Sequence, residues 1–333
     1  MQFDAILAPI PLNDIPRLAR AAEAIGFKGL WVSETQHDPF LPGGLIAEHT
    51  QRMKFGTSVA IAFARSPATL AYTAWDLAQF SGGRFILGLG TQVKAHIQRR
   101  FGMQWPESPK NKLREQIAAI RAFWETWQTG SPLKFRGEYY RLSLMSPFFN
   151  PGPIDHPEIP IYIAGVNKGM ASLAGEVADG FQVHPLHTPR YLEEVILPAL
   201  AGGARKSGRT LENVTISVQA FVATTPEEIA MTRAQVAFYA STPSYQPVMA
   251  LHGWENQAQQ LSSLASRGQW QDMPALIDDT MLETFAVIAS HSELAVALHE
   301  RYDNLADRLN LYLPFSTGER DAFWRLLIES FNP

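Results

Sequence analysis

Short runs of apolar, β-branched and aromatic residues alternate along this chain with longer segments that carry apolar residues at helical spacing. Eight such runs are candidate strands, at residues 3–7, 29–32, 54–60, 84–89, 159–164, 180–183, 214–223 and 308–313. The segments between them include helices predicted at 67–80 and 226–240, each opening with a proline where the missing N–H costs nothing. Regular alternation of strands and helices is typical of βα units on a parallel sheet. The sequence therefore predicts an α/β fold.

Two α/β architectures accommodate eight alternating units, a closed (β/α)8 TIM barrel and an open doubly wound sheet. The open sheet typically carries a glycine-rich phosphate turn after its first strand, whereas this chain has Ala-Pro-Ile-Pro at 8–11. The closed barrel is therefore favoured, as one domain spanning residues 1–333. The segments near 130–158 and 241–282 break the rhythm and are predicted insertions, the first with a small hairpin at 135–142.

Composition narrows the classes of function. With 28 basic and 32 acidic residues and a net charge of −4, the chain has no excess of positive charge for a nucleic-acid partner. No apolar run approaches the ~20 residues that a membrane span needs. The absence of cysteine excludes disulfides, thiol catalysis and iron–sulfur ligation, and the nine scattered histidines predict no metal site. We expect a soluble cytoplasmic protein that acts on a small molecule.

Active sites of (β/α)8 barrels form from the loops at the carboxyl ends of the strands. After the second strand, Ser-Glu-Thr-Gln-His-Asp at 33–38 places two carboxylates and an imidazole in six residues. Glu34 and His37 are candidate proton-transfer groups. The alternative is a polar loop in which Asp38 caps a turn. His184, which follows the sixth strand, is expected to face the same mouth and contact substrate.

Two further strand ends have the composition of ligand-binding turns. Residues 164–167 lead into a helix near Lys168, and a helix N-terminus with an adjacent lysine suits an anion such as phosphate. The alternative is that Asn167 is an ordinary N-cap. The glycines and hydroxyl of residues 88–92 allow a planar ligand or a phosphate to approach the backbone, although such glycines also serve tight strand packing.

Five motifs occur in the order and spacing of a known family: GFKGLWVSE at 26–34, GTSV at 56–59, RSP at 65–67, SGGRFILGLGT at 81–91, and IYIAG at 161–165 followed by ADGF at 178–181. The chain resembles the bacterial luciferase-like monooxygenase superfamily, and specifically its coenzyme F420-dependent oxidoreductase branch. The resemblance covers residues 1 to about 190 and the last strand near 311–315. Segment 241–282 has no match.

The resemblance implies a cofactor site. In deazaflavin members the third strand ends in a bulge with a non-prolyl cis peptide behind the cofactor ring, which here corresponds to Ser58-Val59, with Ala60 and Ile61 on the same wall. Thr91 and Gln92 correspond to positions implied to touch the ring, and His96 corresponds to one nearby. The positions implied to hold the cofactor phosphate are Gly165, Val166, Asn167, Gly169 and Met170. Family members commonly pair, so a homodimer is implied as well.

This chain also departs from the family. Where sugar-phosphate dehydrogenases of the branch carry a catalytic His and a catalytic Glu, it has Thr35 and Val93, which disfavours a sugar phosphate as substrate. The implied activity is hydride transfer between C5 of F420 and a small organic substrate, which the loop aromatics Phe40, Phe63, Phe148, Phe149 and Trp254 suggest is hydrophobic. The phosphate turn lacks the usual paired glycines, so FMN is the alternative cofactor. The rival functions are then an FMN-dependent monooxygenase that uses O2 with a partner reductase, or a non-catalytic flavin-binding barrel.

Overall fold

Eight parallel strands close into a barrel within residues 1–331, the part of the chain that this computed structural model describes. Asn332 and Pro333, the last residues of the predicted domain, lie outside the described residues. Each strand pairs with the next along the chain, and the eighth pairs with the first, with Asp4 opposite Asn310. The strands are β1 (Gln2–Ile6), β2 (Gly29–Val32), β3 (Lys54–Thr57), β4 (Phe85–Gly90), β5 (Ile161–Gly165), β6 (Gly180–Val183), β7 (Thr215–Ala223) and β8 (Arg308–Leu311). The predicted TIM barrel is confirmed.

Helices alternate with the strands. Ser66 and Thr225 cap two of them, since each side chain accepts a hydrogen bond from a backbone N–H of the first turn. The main helices are α1 (Ile15–Ile25), α2 (Leu41–His49), α3 (Pro67–Ser81), α4 (Pro109–Thr129), α5 (Lys168–Val177), α6 (Leu197–Lys206), α7 (Pro226–Ala240) and α8 (Asp321–Phe331). The sequence predicted neither α2, which contains two glycines, nor the short helix Lys94–Arg99.

The irregular segments hold the remaining elements. A short antiparallel hairpin pairs Phe135–Arg136 with Arg141–Leu142, as expected. The later insertion is helical, and it is followed by a short strand, Ala286–Ile288, that pairs with the end of β7 and was not predicted. The additional helices are Pro189–Tyr191 with the π-helical Leu192–Ile196, Gln246–Ala250, Glu255–Ser266, Asp279–Phe285 and Leu294–Tyr302. No helix among the described residues is long and apolar enough to cross a membrane.

A buried polar layer closes the barrel near the amino ends of its strands. Asp4 on β1 and Arg308 on β8 form a bidentate ion pair, with distances of 2.7 Å from Oδ1 to Nη2 and 2.8 Å from Oδ2 to Nε. The indole N–H of Trp31 donates to Oδ2 of Asp4 at 2.9 Å. At Gly56 a Cβ atom would lie 2.9 Å from the Trp31 ring, so this position has room only for glycine. The layer links β1, β2 and β8 beneath the open end of the barrel.

Candidate functional site

A cavity of about 520 Å³ opens at the carboxyl ends of the strands, where this architecture places its active sites. All eight strands or the segments that directly follow them, together with α7, contribute residues to it. The lining residues are Ile6, Leu7, Ala8, Pro9, Ser33, Glu34, Thr35, Gln36, Ser58, Val59, Ile61, Gln92, Ala164, Gln182, Val183, His184, Pro185, Ser217, Gln219, Tyr239, Asn310, Tyr312 and Pro314.

The cavity brings together part of the site expected from the sequence. The predicted site residues that line it are Glu34, Ser58, Val59, Ile61, Gln92 and His184. His37 instead lines a separate narrow cavity of about 20 Å³, and His96 lies exposed on the helix Lys94–Arg99. The remaining predicted residues are not among those that line the main cavity: Ala60, Thr91, Gly165, Val166, Asn167, Gly169 and Met170. The five loop aromatics Phe40, Phe63, Phe148, Phe149 and Trp254 do not line it either.

One wall of the cavity is the bulge that follows β3. The Ser58-Val59 peptide bond is cis, as the resemblance implies, and Ala60 and Ile61 then pair with the end of β4. The carboxylate of Glu34 fixes this wall, because its Oε2 accepts hydrogen bonds from the backbone N–H of Ile61 at 2.7 Å and from Nη1 of Arg65 at 2.6 Å.

Arg65 extends this arrangement to the loop after β2. Its Nη2 lies 3.1 Å from Oδ2 of Asp38, and its side chain is only 20% exposed. Asp38 in turn accepts hydrogen bonds from the N–H groups of Phe40 and Leu41 at the start of α2. The polar loop therefore forms a network that ties the cavity wall to α2.

His184 has one ring nitrogen without a hydrogen-bond partner in the described chain. Its Nδ1 accepts a hydrogen bond from the backbone N–H of Leu186 at 3.1 Å, which places the proton of the neutral ring on Nε2. Burial, reinforced by the neighbouring His187, lowers the pKa of His184 to about 3. The imidazole is therefore neutral at physiological pH, and its Nε2–H has no hydrogen-bond partner among residues 1–331.

Two tyrosines beside His184 share a hydrogen bond. The hydroxyl oxygens of Tyr239 on α7 and Tyr312 after β8 lie 2.8 Å apart, and Nε2 of Gln235 donates to the Tyr312 oxygen at 2.9 Å. Burial raises the pKa of Tyr312, and the contact with Tyr239 raises it further. Sequence reasoning missed both tyrosines, because α7 and the end of β8 meet only when the barrel closes.

Two buried carbonyl oxygens line the deeper part of the cavity. The Oε1 of Gln182 and the Oδ1 of Asn310 have no hydrogen-bond partner in the described chain, although both side chains are about 95% buried. The Nε2 of Gln182 donates to the Thr57 oxygen at 3.2 Å, beside the bulge. Polar residues inside apolar strand runs, as in Phe-Gln-Val and Leu-Asn-Leu, are the sequence signal that would have found them.

The amino end of α5 follows β5 next to the cavity. The side-chain oxygen of Asn167 accepts hydrogen bonds from the N–H groups of Gly169 and Met170, both at 3.1 Å. Asn167 is therefore the N-cap of α5, which was the alternative to an anion-binding turn. Gly165 packs closely under this turn, since a Cβ atom there would lie 2.6 Å from Cβ of Met170.

A family model described as luciferase-like monooxygenase matches residues 2–308. The chain belongs to this family. Among the described residues of this family member, no group of three or more His, Cys, Asp or Glu side chains is placed to hold a metal ion.

Relatives and solved structures agree with the family assignment. An uncharacterized protein of Mycobacterium tuberculosis is 44% identical over 306 residues, which cover 89% of this chain and 90% of the relative. The F420-dependent glucose-6-phosphate dehydrogenase of Nakamurella multipartita is 31% identical over 217 residues, 61% of each chain. The F420-dependent tetrahydromethanopterin reductase structure from Methanopyrus kandleri aligns with a TM-score of 0.79 at 21% identity, covering 99% of this chain and 97% of the other.

A structure with a different cofactor has the same fold. The oxygenating constituent of 3,6-diketocamphane monooxygenase from Pseudomonas putida, in complex with FMN, aligns with a TM-score of 0.67 at 16% identity over 99% of this chain and 96% of the other. The relatives and neighbours of this family member that carry a named activity include oxidoreductases that use F420 and a monooxygenase in complex with FMN, which supports an oxidoreductase activity for the chain.

Proposed function

We propose that this family member is an F420-dependent oxidoreductase that exchanges a hydride between C5 of the deazaflavin and a small organic substrate. The observation that carries the proposal is the wall formed by Ser58, Val59 and Ile61, which lines the cavity and which the resemblance to F420-dependent members implies lies behind the cofactor ring. A named F420-dependent dehydrogenase among the relatives supports the same cofactor.

The residues of the cavity fit a deazaflavin or flavin ring. Val59 and Ile61 offer one apolar wall, and Ile6 and Leu7 lie at the end of the first strand. Buried acceptors without a donor are costly, so the free oxygens of Gln182 and Asn310 call for a ligand or water that donates N–H or O–H bonds. Ring systems of this class carry such an N–H edge beside large apolar faces.

The cofactor phosphate is assigned to the amino end of α5. A ten-residue helix presents backbone N–H groups and the positive end of its dipole there, and Lys168 adds a positive charge. Because the Asn167 side chain already occupies two of those N–H groups, phosphate binding requires either the remaining donors or a rotation of Asn167.

The bound deazaflavin supplies two-electron hydride chemistry at C5, and the protein supplies position, exclusion of water and hydrogen bonds. Glu34 and Arg65 fix the backbone of Ile61, so we assign Glu34 a positioning role in the wall. The apolar part of the lining favours a hydrophobic substrate. His37, which lies outside the main cavity, has a proton-transfer role only if His37→Asn slows turnover.

The first test is binding of F420 and, separately, of FMN to the purified protein by equilibrium dialysis. We expect F420 to bind with a micromolar or lower dissociation constant and FMN to bind much more weakly. Ala164→Trp, which fills the cavity, is expected to abolish binding, whereas Ala95→Trp on the exposed helix beside it leaves binding unchanged. Binding of neither cofactor, or equal binding to both tryptophan variants, would contradict the proposal.

The second candidate function is an FMN-dependent monooxygenase. It is favoured by the Val166-Asn167 turn, which lacks paired glycines, and by the shared fold with an FMN complex. Preference for FMN, with substrate oxidation that requires O2 and a reductase, would select it. The implied homodimer is a separate proposal, which light scattering of the purified protein tests.

A further inference from the structure

Three side chains on one side of the cavity form a cluster that the proposed cofactor site does not use. The His184 ring centroid lies 4.6 Å from that of Tyr239 in a perpendicular arrangement, and the Tyr239 ring lies 6.0 Å from Tyr312. All three residues line the cavity. Tyr245 packs on His184 as well, at 4.5 Å, but it does not line the cavity. We name His184, Tyr239 and Tyr312 the donor cluster.

A count of protons shows that the tyrosine pair has one hydrogen-bond donor to spare. Each hydroxyl carries one proton, and their mutual hydrogen bond uses one of the two. Gln235 donates to Tyr312 and so uses an acceptor position rather than a proton. Whichever hydroxyl donates within the pair, the other O–H therefore has no acceptor in the described chain.

Together with the Nε2–H of His184, the cluster offers two neutral donors to a ligand in the cavity. A carbonyl or hydroxyl oxygen has two lone pairs and can accept both. Two neutral donors aimed at one oxygen also stabilise negative charge that develops on it during a reaction. The cluster thus has the composition of a site for an oxygen atom of the substrate.

The charges around the cavity define which kind of oxygen compound can bind. No lysine or arginine lines the cavity, and the carboxylate of Glu34 is the charged group that does. That carboxylate is paired with Arg65 on the far side of the wall, and Arg100, near the rim, donates to the Thr35 carbonyl at 2.8 Å. A phosphate or carboxylate would lose its hydration here without gaining a cation. The substrate oxygen therefore belongs to an uncharged group.

We propose that His184 and the Tyr239–Tyr312 pair bind the oxygen of an uncharged carbonyl substrate, a ketone or an aldehyde. This inference rests on the proposed function and adds the substrate class to it. In the reducing direction the carbonyl carbon gains a hydride from reduced deazaflavin, and the C=O π pair moves to the oxygen. The oxygen then takes the spare tyrosine proton, which water replaces, so the carbonyl becomes an alcohol and the deazaflavin is oxidised by two electrons.

The test compares two ligands that differ by one charge, cyclohexanone and 4-oxocyclohexanecarboxylate. Their dissociation constants are measured by calorimetry with the protein alone and with oxidised F420 bound, a state in which the ketone does not react. Infrared spectroscopy of the bound ketone reports the hydrogen bonds directly, because donors to the oxygen lower the C=O stretching frequency. The readout therefore does not depend on turnover.

The variants separate donation from packing. His184→Phe removes one donor, and the double variant Tyr239→Phe/Tyr312→Phe removes the other, because either tyrosine alone would keep one free O–H. His184→Gln retains an N–H near the position of Nε2. Tyr245→Phe is the matched control, because it deletes a hydroxyl from another ring packed on His184 that lies outside the donor cluster. F420 affinity is measured for every variant, so that loss of the cofactor site is recognised separately.

We expect cyclohexanone to bind at least tenfold more tightly than the carboxylate. Loss of one neutral hydrogen bond corresponds to an affinity decrease of up to about tenfold, so His184→Phe and the Tyr239→Phe/Tyr312→Phe double variant each weaken binding by that factor and raise the C=O frequency. His184→Gln should recover most of the ketone affinity and of the C=O frequency shift, and Tyr245→Phe should change neither the affinity nor the frequency.

Three results would overturn the inference: equal or tighter binding of the carboxylate, an unchanged C=O frequency in both phenylalanine variants, or no ketone binding by wild-type protein that binds F420. If F420 itself fails to bind, the proposed function is refuted. Ketone binding to the protein alone still decides the donor cluster in that case.

Discussion

Replacing Glu34 with glutamine distinguishes a carboxylate that transfers protons from one that holds the cavity wall. The side chain is only 7% exposed, and its Oε2 accepts hydrogen bonds from the Ile61 N–H and from Arg65. Glutamine keeps the shape and one carbonyl oxygen but loses the negative charge. A positioning role therefore predicts losses of stability and of F420 affinity.

The size of the effect follows from the two bonds. Hydrogen bonds to a charged group contribute about 1.5–3 kcal/mol, roughly twice the neutral value, so weakening both costs about 2–3 kcal/mol. Arg65 keeps Asp38 at 3.1 Å, which holds the loss below the ~3–5 kcal/mol expected when a buried charge loses its partner. For 333 residues the unfolding entropy is about 0.7 kcal/mol per kelvin, so Tm falls by about 3–4 °C.

Calorimetric unfolding and F420 titration measure the two losses. Arg65→Met should show an overlapping loss, with a coupling energy of about 1–2 kcal/mol in the double-mutant cycle. Glu300→Gln, on an exposed helix face, is the control and should change neither quantity. The reasoning is refuted if Glu34→Gln keeps the wild-type Tm and F420 affinity while oxidation of reduced F420 by cyclohexanone slows by about a thousandfold, the scale of a lost general acid or base.

Three further predictions concern the fold around the site. Burial lowers the pKa of His184 to about 3 and of His187 to about 4, so the unfolded chain binds more protons below pH 6.5 and stability falls as pH drops towards 4. His187→Gln should reduce the loss of unfolding free energy between pH 7 and pH 4, as measured by urea unfolding. An unchanged dependence of that free energy on pH would contradict the prediction. Gln92 has a φ of +60°, a backbone conformation that glycine adopts more easily than alanine. The unfolding free energy of Gln92→Gly should therefore be about 1 kcal/mol higher than that of Gln92→Ala. Equal values would count against a strained backbone there. A Cβ at Gly88 would lie 1.8 Å from a β3 carbonyl oxygen, so Gly88→Ala should lower the unfolding free energy by more than about 3 kcal/mol. Gly44→Ala on α2, where the space is open, should instead raise it by up to about 1 kcal/mol. A stable Gly88→Ala protein would disprove the close approach.

The barrel could be predicted because its signals are local. Buried parallel strands are continuous apolar runs, and the helices between them have capping residues, as at Ser66 and Thr225. Where those signals fail, so does the prediction: α2 contains adjacent glycines at 43 and 44, and its helix is held by packing rather than by propensity. Asn13 is of a residue type that often caps helices, but it lies in a 3-10 turn, and α1 begins at Ile15.

The residues alone predicted cavity-lining positions only where a polar residue follows a strand directly, whereas Ser58, Val59, Ile61 and Gln92 were implied by the resemblance to the family. Glu34 lies two residues beyond the end of β2 and His184 one residue beyond the end of β6, and both line the cavity. His37 stands three residues farther than Glu34, in an exposed turn, because the chain has by then left the barrel mouth. Asn310 and Tyr312 could not be assigned from strand ends alone, since which face of β8 points inward depends on the register with β1 and β7.

The placement of charge around the cavity explains how its neutral groups can act. Glu34 lines the cavity but is paired with Arg65, which does not, and the ion pair of Asp4 with Arg308 lies near the amino ends of the strands. Within each pair the two opposite charges neutralise one another, so neither pair attracts a charged ligand. Both pairs fix the backbone from which the lining residues project. Hydrogen bonds gain strength where water and free charge are excluded. Neutral donors such as the Nε2–H of His184 therefore control orientation in this cavity, and a charged substrate would have to carry its own counter-charge to enter.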